Sequence, residues 1–219
     1  MRSQTKGAAS ASRAADSVSA AGSTSPILSA LLLAGLVLGP RATAAEIWRL
    51  APGPSSVEFT IGHLIFSEVT GRFGRFHGTV ECPGDCLGED FTDARVDIAI
   101  DVTSVYTGHP DRDRELISES FFAAERFPEM RFESRFVEQT GPATYRLVGG
   151  LTIRGITHEV VLEARYEGER MSARGKRRDF RATGSINRSD YGITWNDTWA
   201  GRLLLADEVE ITLAIALVE

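Results

Sequence analysis

The feature that most constrains the fold of this chain is an alternation of apolar and polar residues with a period of two. It is clearest in residues 147–167, LVGGLTIRGITHEVVLEARYE. Apolar residues share one parity before Arg154-Gly155-Ile156-Thr157 and another after it, with charged residues between them. Alternation interrupted by a glycine-containing turn predicts a β-hairpin. The apolar side of this hairpin faces either a packed core or a bound molecule.

The same alternation recurs along the chain and gives nine strand-like runs. The further runs are residues 46–50, 55–64, 67–81, 94–102, 130–138, 180–186 and 208–218. Many strands with one apolar face must form a sandwich or a closed barrel. A closed barrel of about eight strands can be packed inside or can hold one small ligand. The alternation does not separate these options, and from the residue pattern alone a packed core is favoured.

One interval between these runs lacks the alternation. Residues 109–117, HPDRDRELI, begin with a proline and early acidic residues. Proline in the first turn and acids near the start are typical of a helix N-terminus. We therefore expect a short helix in a crossover that covers one end of the sheet.

Residues 1–44 have the pattern of a secretory signal peptide. Basic residues precede an apolar run of 12 residues, Ile27 to Leu38, and Ala42-Thr43-Ala44 is a small-x-small cleavage site. Twelve residues are short for a membrane span, which needs about 20. The alternative is an uncleaved anchor. Cleavage after Ala44 leaves residues 45–219 as one domain of an exported protein.

The charge of residues 45–219 disfavours a nucleic-acid partner. Without the four basic residues and one acidic residue of the first 44, the totals of 24 and 30 become 20 and 29, a net charge of −9. The densest cationic stretch contains Arg170, Arg174, Lys176, Arg177 and Arg178. We expect it to be a solvated hairpin tip, with contact to anionic lipid headgroups as the alternative.

The two cysteines, Cys82 and Cys86, flank a Pro-Gly turn in ECPGDC. In an oxidising compartment such a pair can close a small disulfide loop, which we favour over free thiols. The spacing is not C-x-x-C, and two further zinc ligands are missing nearby, so neither a redox motif nor a metal site is predicted.

No catalytic motif stands out in the sequence. It contains no G-x-S-x-G elbow, phosphate-binding loop or dinucleotide fingerprint. His63 and His158 lie in phase with apolar neighbours, which is more typical of hydrogen-bonded interior histidines than of ligands. We predict no catalytic residue, no metal and no enzymatic activity.

The order of several segments resembles the YceI-like family. The segments are GHLIFSEVTGRFGRFHGTV, RDRELISESFFAAERFPEMRFES, VGGLTIRGITHEVVLEA, FRATGSINRSDYGI and LLADEVEITLAIAL, and the resemblance covers roughly Ile47 to Glu219. The resemblance implies an all-β, lipocalin-like antiparallel β-barrel of about eight strands with a short helix in a crossover. It also implies export to the bacterial periplasm and a tunnel that binds a long polyisoprenoid or a similar apolar chain.

Parity and the resemblance together predict the tunnel and its mouth. The expected wall residues are Val57, Phe59, Ile61, Ile98, Ile100, Phe132, Phe136, Leu151, Ile153, Val160, Leu162, Ile211, Leu213 and Ile215. The headgroup candidates are His63, Arg112, Arg154 and Arg188. For the arginines the alternative is a salt bridge closing the barrel end, for instance with Asp113 or Asp190. Trp195 and Trp199 either clamp a lipid or plug the barrel.

The function expected from the resemblance is a periplasmic protein that sequesters or carries a polyisoprenoid lipid. One alternative is a module that holds an isoprenoid quinone for a membrane cytochrome. Others are an enzyme using His63 or His158, and a stress-response barrel without a cavity. No cofactor is expected apart from a bound isoprenoid lipid or quinone. The ligand's headgroup and the oligomeric state, a dimer included, are left open.

Overall fold

The structure, a computed structural model, describes residues 45–63, 67–82, 90–173, 175–196, 198–199, 202–203 and 205–219. The predicted signal peptide and Cys86 lie outside these ranges, so cleavage after Ala44 and the disulfide stay predictions. Cys82, the other half of the predicted pair, is buried at the end of a strand.

Thirteen strands, one α-helix and two 3-10 turns make up the described part of the chain. The strands are β1 (Glu46–Leu50), β2 (Ser56–His63), β3 (Ser67–Phe73), β4 (Phe76–Cys82), β5 (Arg95–Asp101), β6 (Val105–Tyr106), β7 (Glu129–Gly141), β8 (Thr144–Ile153), β9 (Ile156–Ser172), β10 (Gly175–Asn187), β11 (Thr198–Trp199), β12 (Arg202–Leu203) and β13 (Leu205–Val218). The helix α1 is Pro110–Ile117, and the 3-10 turns are Val102–Ser104 and Arg188–Tyr191.

The strands form a closed antiparallel barrel. Around the ring the order is β1, β4, β5, β7, β8, β9, β10 and β13, and β13 pairs with β1 to complete it. The first half of β13 pairs instead with β2, which continues to β3 and β6. This arrangement confirms the all-β barrel of eight strands. Among the described residues, every strand of the ring is paired on both sides over at least part of its length, which protects its edges.

The hairpin predicted from residues 147–167 is the β8–β9 pair. Its strands meet at Ile153 and Ile156, with only Arg154 and Gly155 between them. Both turn residues have positive φ, 53° and 74°. Two-residue turns of this kind match the twist of the strands, and glycine adopts the left-handed conformation without a Cβ penalty.

A β-bulge in β7 makes one wall prediction wrong. Ser134 pairs with Gly149 and Phe136 with Val148, so Arg135 has no partner of its own. The extra residue inverts the parity of the strand that follows. Phe136 therefore points outward and is 51% exposed, while Val137 takes the inward position.

The predicted helix is confirmed as α1, between β6 and β7. Pro110 occupies its first turn, together with Asp111 and Asp113. Leu116 and Ile117 pack against the apolar side chains of the barrel. The helix therefore covers one end of the barrel, where the crossover was expected.

Candidate ligand-binding cavity

The barrel encloses a cavity of about 520 Å³. Its wall is made of apolar side chains from nearly every strand of the ring, with a few charged residues such as Arg112 and Glu115. Ligand sites in proteins usually measure about 300–1,000 Å³ and have mostly apolar walls. The interior of this barrel is therefore hollow, against the expectation from residue pattern alone, and large enough for a small molecule.

All the predicted wall residues except Phe136 line this cavity. Because the strands alternate strictly outside the bulges, parity was sufficient to place them. Several further wall residues were not predicted. They include Val69, Phe73, Val80, Phe91, Val137, Tyr145, Leu147, Phe180, Ala182, Tyr191 and Ile193. Those on strands follow the same parity once the bulges are known, whereas Phe91, Tyr191 and Ile193 lie outside the strands and give no periodic signal.

Four aromatic rings pack together at the cavity, and three of them, Phe91, Tyr145 and Phe180, line it. The Phe91 ring centroid lies 5.4 Å from that of Tyr145, 5.3 Å from Tyr166 and 5.1 Å from Phe180. Offset and edge-to-face contacts at such distances are favourable. We call these four residues the aromatic plug.

Behind the aromatic plug lies Arg178, which the sequence placed in a solvated cationic tip. Its guanidinium is 4.3 Å from the ring centroid of Trp48, and its Nε donates to Glu169 Oε2 at 3.0 Å. Arg178 is only 4% exposed, so the prediction was wrong for this residue. It shares the parity of Phe180 on β10, and the alternation therefore turns it inward.

The neighbouring cations of this stretch are paired rather than free. Arg170 and Arg177 both bind the buried carboxylate of Asp179, at 2.8 and 2.6 Å. Arg174 lies outside the described residues. Two of the cations that a broad contact with anionic headgroups would use are therefore already paired with a buried carboxylate of the protein.

Another part of the cavity wall carries polar residues, and we call it the mouth because it includes the partly exposed Trp195. His63, Arg112, Glu115 and Trp195 line it, and Trp195 is 42% exposed. The indole of Trp195 packs against Phe121, with ring centroids 5.2 Å apart. Trp195 therefore covers part of the cavity and is also partly exposed to solvent. The side chain of Trp199 lies outside the described part of the chain.

Arg112 reaches the mouth but does not form the salt bridge considered for it. Its Nε donates to Thr107 Oγ1 at 2.8 Å and its Nη2 to Thr107 O at 2.9 Å. Asp113 instead accepts from the backbone N and the hydroxyl of Thr107. Thr107 therefore holds the helix start and Arg112 together.

Arg188 lines the cavity, but its guanidinium is committed to the protein. It donates to the carbonyl oxygens of Ala206, Ile193 and Trp195 at 2.8–2.9 Å. Its ion pair is with Asp207 at 3.0 Å, not with Asp190. Arg188 thus ties the segment after β10 to the start of β13, and it is 4% exposed.

Arg154 does not line the cavity. It sits in the β8–β9 turn and donates to Gly192 O at 2.8 Å. Its contact with a headgroup stays a prediction, and in the structure the β8–β9 turn keeps it out of the cavity lining.

The two histidines of interest have different surroundings. His63 borders the cavity, and its Nδ1 lies 3.3 Å from Ser67 Oγ. His158 was expected inside, but it is exposed at the strand end, where its Nε2 lies 3.1 Å from Asp190 O. The His158 ring packs edge-on against Tyr191 at 5.2 Å.

Tyr191 is a cavity residue that the sequence analysis missed. It ends the second 3-10 turn, which Gly192 terminates in the left-handed conformation at φ 71°. Tyr191 is 1% exposed, and its Oη has no hydrogen-bond partner among the described residues. A buried hydroxyl without a partner costs about 1–3 kcal/mol. Burial, assisted by the charge of Asp190, raises the pKa of Tyr191 to about 12.

Other kinds of site were also sought in the described part of the chain. There, no group of three or more His, Cys, Asp or Glu side chains is arranged to hold a metal ion. Within the same ranges, none of the helices combines the length and apolar character that crossing a bilayer requires.

These features define a lipocalin-like, eight-stranded antiparallel barrel with an apolar internal cavity. A match to the YceI-like domain over residues 48–217 goes further, and the chain belongs to that family. It is 33% identical to a UPF0312 protein of Yersinia pestis over 160 residues, 73% of this chain and 78% of the relative. A UPF0312 protein of Pseudomonas syringae pv. tomato is 31% identical over 138 residues, 63% of this chain and 70% of the relative.

Solved structures have the same fold. BcnA of Burkholderia cenocepacia matches with a TM-score of 0.65 and 20% identity, over 76% of this chain and 98% of BcnA. The YceI protein of Campylobacter jejuni matches with a TM-score of 0.61 and 28% identity, over 71% and 88%. A polyisoprenoid binding domain from Saccharophagus degradans matches with a TM-score of 0.58 and 15% identity, over 78% and 97%.

Proposed function

We propose that this protein binds a polyisoprenoid or a similar long apolar lipid in the barrel cavity, and that it sequesters or carries this lipid in the periplasm. The observation that carries the proposal is the 520 Å³ cavity with its almost wholly apolar wall. The likeness to a domain described as polyisoprenoid binding supports the same class of ligand. The pattern of residues 1–44 supports export.

The wall suits a flexible hydrocarbon chain because it offers many weak contacts in place of a few strong ones. Each buried methylene contributes about 0.8 kcal/mol, so a chain of several isoprene units gains affinity without any charged contact. Branched aliphatic side chains such as Ile98, Leu162 and Leu213 present this surface along the cavity.

Binding accounts for the cavity better than catalysis does. His63 lines the cavity, whereas His158 sits outside it and contacts a backbone oxygen. Under our proposal His63→Ala and His158→Ala leave binding of a plain hydrocarbon chain within about twofold, since neither histidine supplies an apolar contact to such a chain. Turnover of any substrate that either substitution abolishes would argue for an enzyme instead.

The central experiment is mass spectrometry of an organic extract of the protein purified from its native periplasm. We expect an isoprenoid lipid in near-stoichiometric amount and uptake of added polyprenol by lipid-free protein. Repeated absence of both would contradict the proposal. An isoprenoid quinone in the extract, together with a membrane cytochrome that co-purifies, would support the quinone-holding alternative.

A matched pair of variants places the ligand inside the barrel. Ala182 lines the cavity, and its neighbour Thr183 faces out from the same strand. Ala182→Phe fills cavity space, so polyprenol uptake should fall at least tenfold. Thr183→Phe adds the same ring outside and should leave uptake unchanged. Equal effects of the two variants would place the ligand elsewhere.

Export is tested on the full-length chain. The intact mass of protein from the periplasmic fraction should correspond to a chain that starts at Ala45. The same measurement, made after alkylation without reduction, should show both Cys82 and Cys86 unmodified if they are joined. A protein that stays in the membrane fraction at full length would indicate an uncleaved anchor.

A further inference from the structure

Two exposed apolar side chains lie beside the cavity mouth. Trp195 lines the cavity and is 42% exposed, and Ile156, which does not line it, is 40% exposed. Their segments are in contact, since a Cβ on Gly192 would lie 3.7 Å from Ile156 Cδ1, and Arg154 donates to Gly192 O at 2.8 Å. We call Trp195 and Ile156 the mouth rim.

Packed aromatic rings support the mouth rim from inside the protein. The buried Phe121 ring lies 5.2 Å from the Trp195 ring. The half-buried Phe127 packs on the β8–β9 turn, where a Cβ on Gly155 would lie 3.1 Å from Phe127 Cε1. The exposed surfaces of the rim are therefore presented by a packed base.

Two other exposed apolar side chains have a different setting. Phe136 is 51% exposed on the outer wall of the barrel, next to the Arg135–Glu159 ion pair. Met171 is 77% exposed at the end of β9, next to the exposed cation of Arg170. Neither lines the cavity. The mouth rim differs from both because its apolar surface is continuous with the cavity wall.

The charges beside the mouth rim indicate which kind of surface it can meet. Within the described ranges, Arg154 has a carbonyl partner and no carboxylate, while Arg126 is bound to Glu119 at 2.6 Å and Asp190 is exposed. Binding to anionic lipid relies on clusters of unpaired cations, which this mixture of charges does not provide. Tryptophan, by contrast, favours the headgroup level of any bilayer.

We propose that the mouth rim docks on the surface of a zwitterionic phospholipid bilayer, with Trp195 and Ile156 inserted at the headgroup level, so that lipid passes directly between the bilayer and the cavity. The inference rests on the proposed lipid binding and specifies the source from which the ligand is taken. Direct passage is favourable because a long apolar chain is never transferred through water.

The test measures flotation of the periplasmic protein with phosphatidylcholine vesicles. Wild type should float with them, and adding phosphatidylglycerol should not strengthen binding. Trp195→Ser should weaken binding by about 5- to 50-fold and Ile156→Ser by about 3- to 10-fold, since each removes up to roughly 100 Å² of inserted apolar surface. Phe136→Ser and Met171→Ser are the matched controls and should bind within about twofold of wild type.

A second measurement separates docking from lipid binding. Ile156→Ser should take up polyprenol from dilute solution as wild type does, which also shows that it is folded, but should accept polyprenol from vesicles more slowly. Absence of wild-type flotation, losses as large in the two controls, or binding that needs phosphatidylglycerol and is lost in Met171→Ser would each overturn the proposal. Flotation through the rim without uptake of any chain would support docking and overturn lipid binding itself.

Discussion

The side-chain hydroxyl of Tyr191 is a weak acid, and its surroundings disfavour the charged form. Its folded pKa of about 12 exceeds the ordinary value of 10.0, because burial and Asp190 disfavour the phenolate. The stability linked to this group is therefore fully present below about pH 10 and is lost as pH rises towards 12. We predict that wild type loses more melting temperature between pH 9 and pH 11 than Tyr191→Phe does. Parallel losses in the two proteins would contradict this assignment.

Arg188 shows how far a buried cation depends on its partners. Its bonds to three carbonyls and to Asp207 join β10, the segment after it and β13. Arg188→Met leaves these acceptors unpaired, and we expect a loss of about 3–5 kcal/mol in the free energy of unfolding, measured with urea. Arg181→Met removes an exposed ion pair with Glu167 and should cost no more than about 1 kcal/mol. Similar costs would mean that the Arg188 contacts contribute little.

At the scale of a strand pair, the close packing of β8 against β7 depends on the absence of a Cβ atom at Gly149. A Cβ on Gly149 would lie 2.5 Å from Glu133 O and equally close to the Phe132 ring. Gly149→Ala should therefore destabilise the fold by about 1–3 kcal/mol, because backbone must shift. Gly150→Ala meets only the Thr157 methyl at 3.1 Å and should cost less. Urea unfolding of both variants checks the order, and the reverse order would contradict it.

The β7 bulge also shows what a single sequence could and could not predict. Alternation identified the strands and most inward residues, since a pleated strand with one apolar face has no other regular pattern. It failed at Phe136 because a one-residue bulge leaves the composition of the strand unchanged. The Ser134 hydroxyl accepts a hydrogen bond from Val96 N at 2.8 Å beside the bulge. That contact joins residues 38 apart in sequence, so no local pattern announces it.

Arg178 and Tyr191 show two further limits of prediction from a single sequence. Parity alone places Arg178 inside, but its charge and its cationic neighbours favoured a surface position. The Trp48 ring that stacks on its guanidinium comes from a strand distant in sequence. Tyr191 belongs to a 3-10 turn, where no period applies. The hollow interior could not be predicted from the residues either, because a packed barrel has the same inward composition.

At the scale of the whole molecule, the ring of strands closes beside the segment that connects β1 to β2, since β13 pairs with both strands. Residues 51–55 contain two prolines, which cannot donate to a ladder, and Ser55 bridges the break. Its Oγ donates to Ala51 O at 2.7 Å and accepts from Ala216 N at 2.9 Å. The closure of the barrel therefore depends in part on one side chain.

Ser55→Ala should accordingly weaken the closure of the barrel. It leaves the buried Ala216 N–H without its acceptor, so we expect a loss of about 1–3 kcal/mol in the free energy of unfolding. Hydrogen exchange should quicken first in β1 and at the end of β13. Ser185→Ala, on an exposed position of β10, should change stability by less than about 0.5 kcal/mol. Uniform exchange along the ring would contradict the assignment.

The aromatic plug affects how a bound chain would enter and leave the cavity. Under the proposed lipid binding, the part of the cavity wall beside the partly exposed Trp195 is the doorway for a slender guest, and the rings of Phe91, Tyr145 and Phe180 bound the cavity deeper inside. We expect such a guest to enter with its hydrocarbon tail first and to leave with its polar end first. Whatever receives it meets the functional group before the hydrocarbon, and hand-over can begin while most of the chain is still sheltered from water.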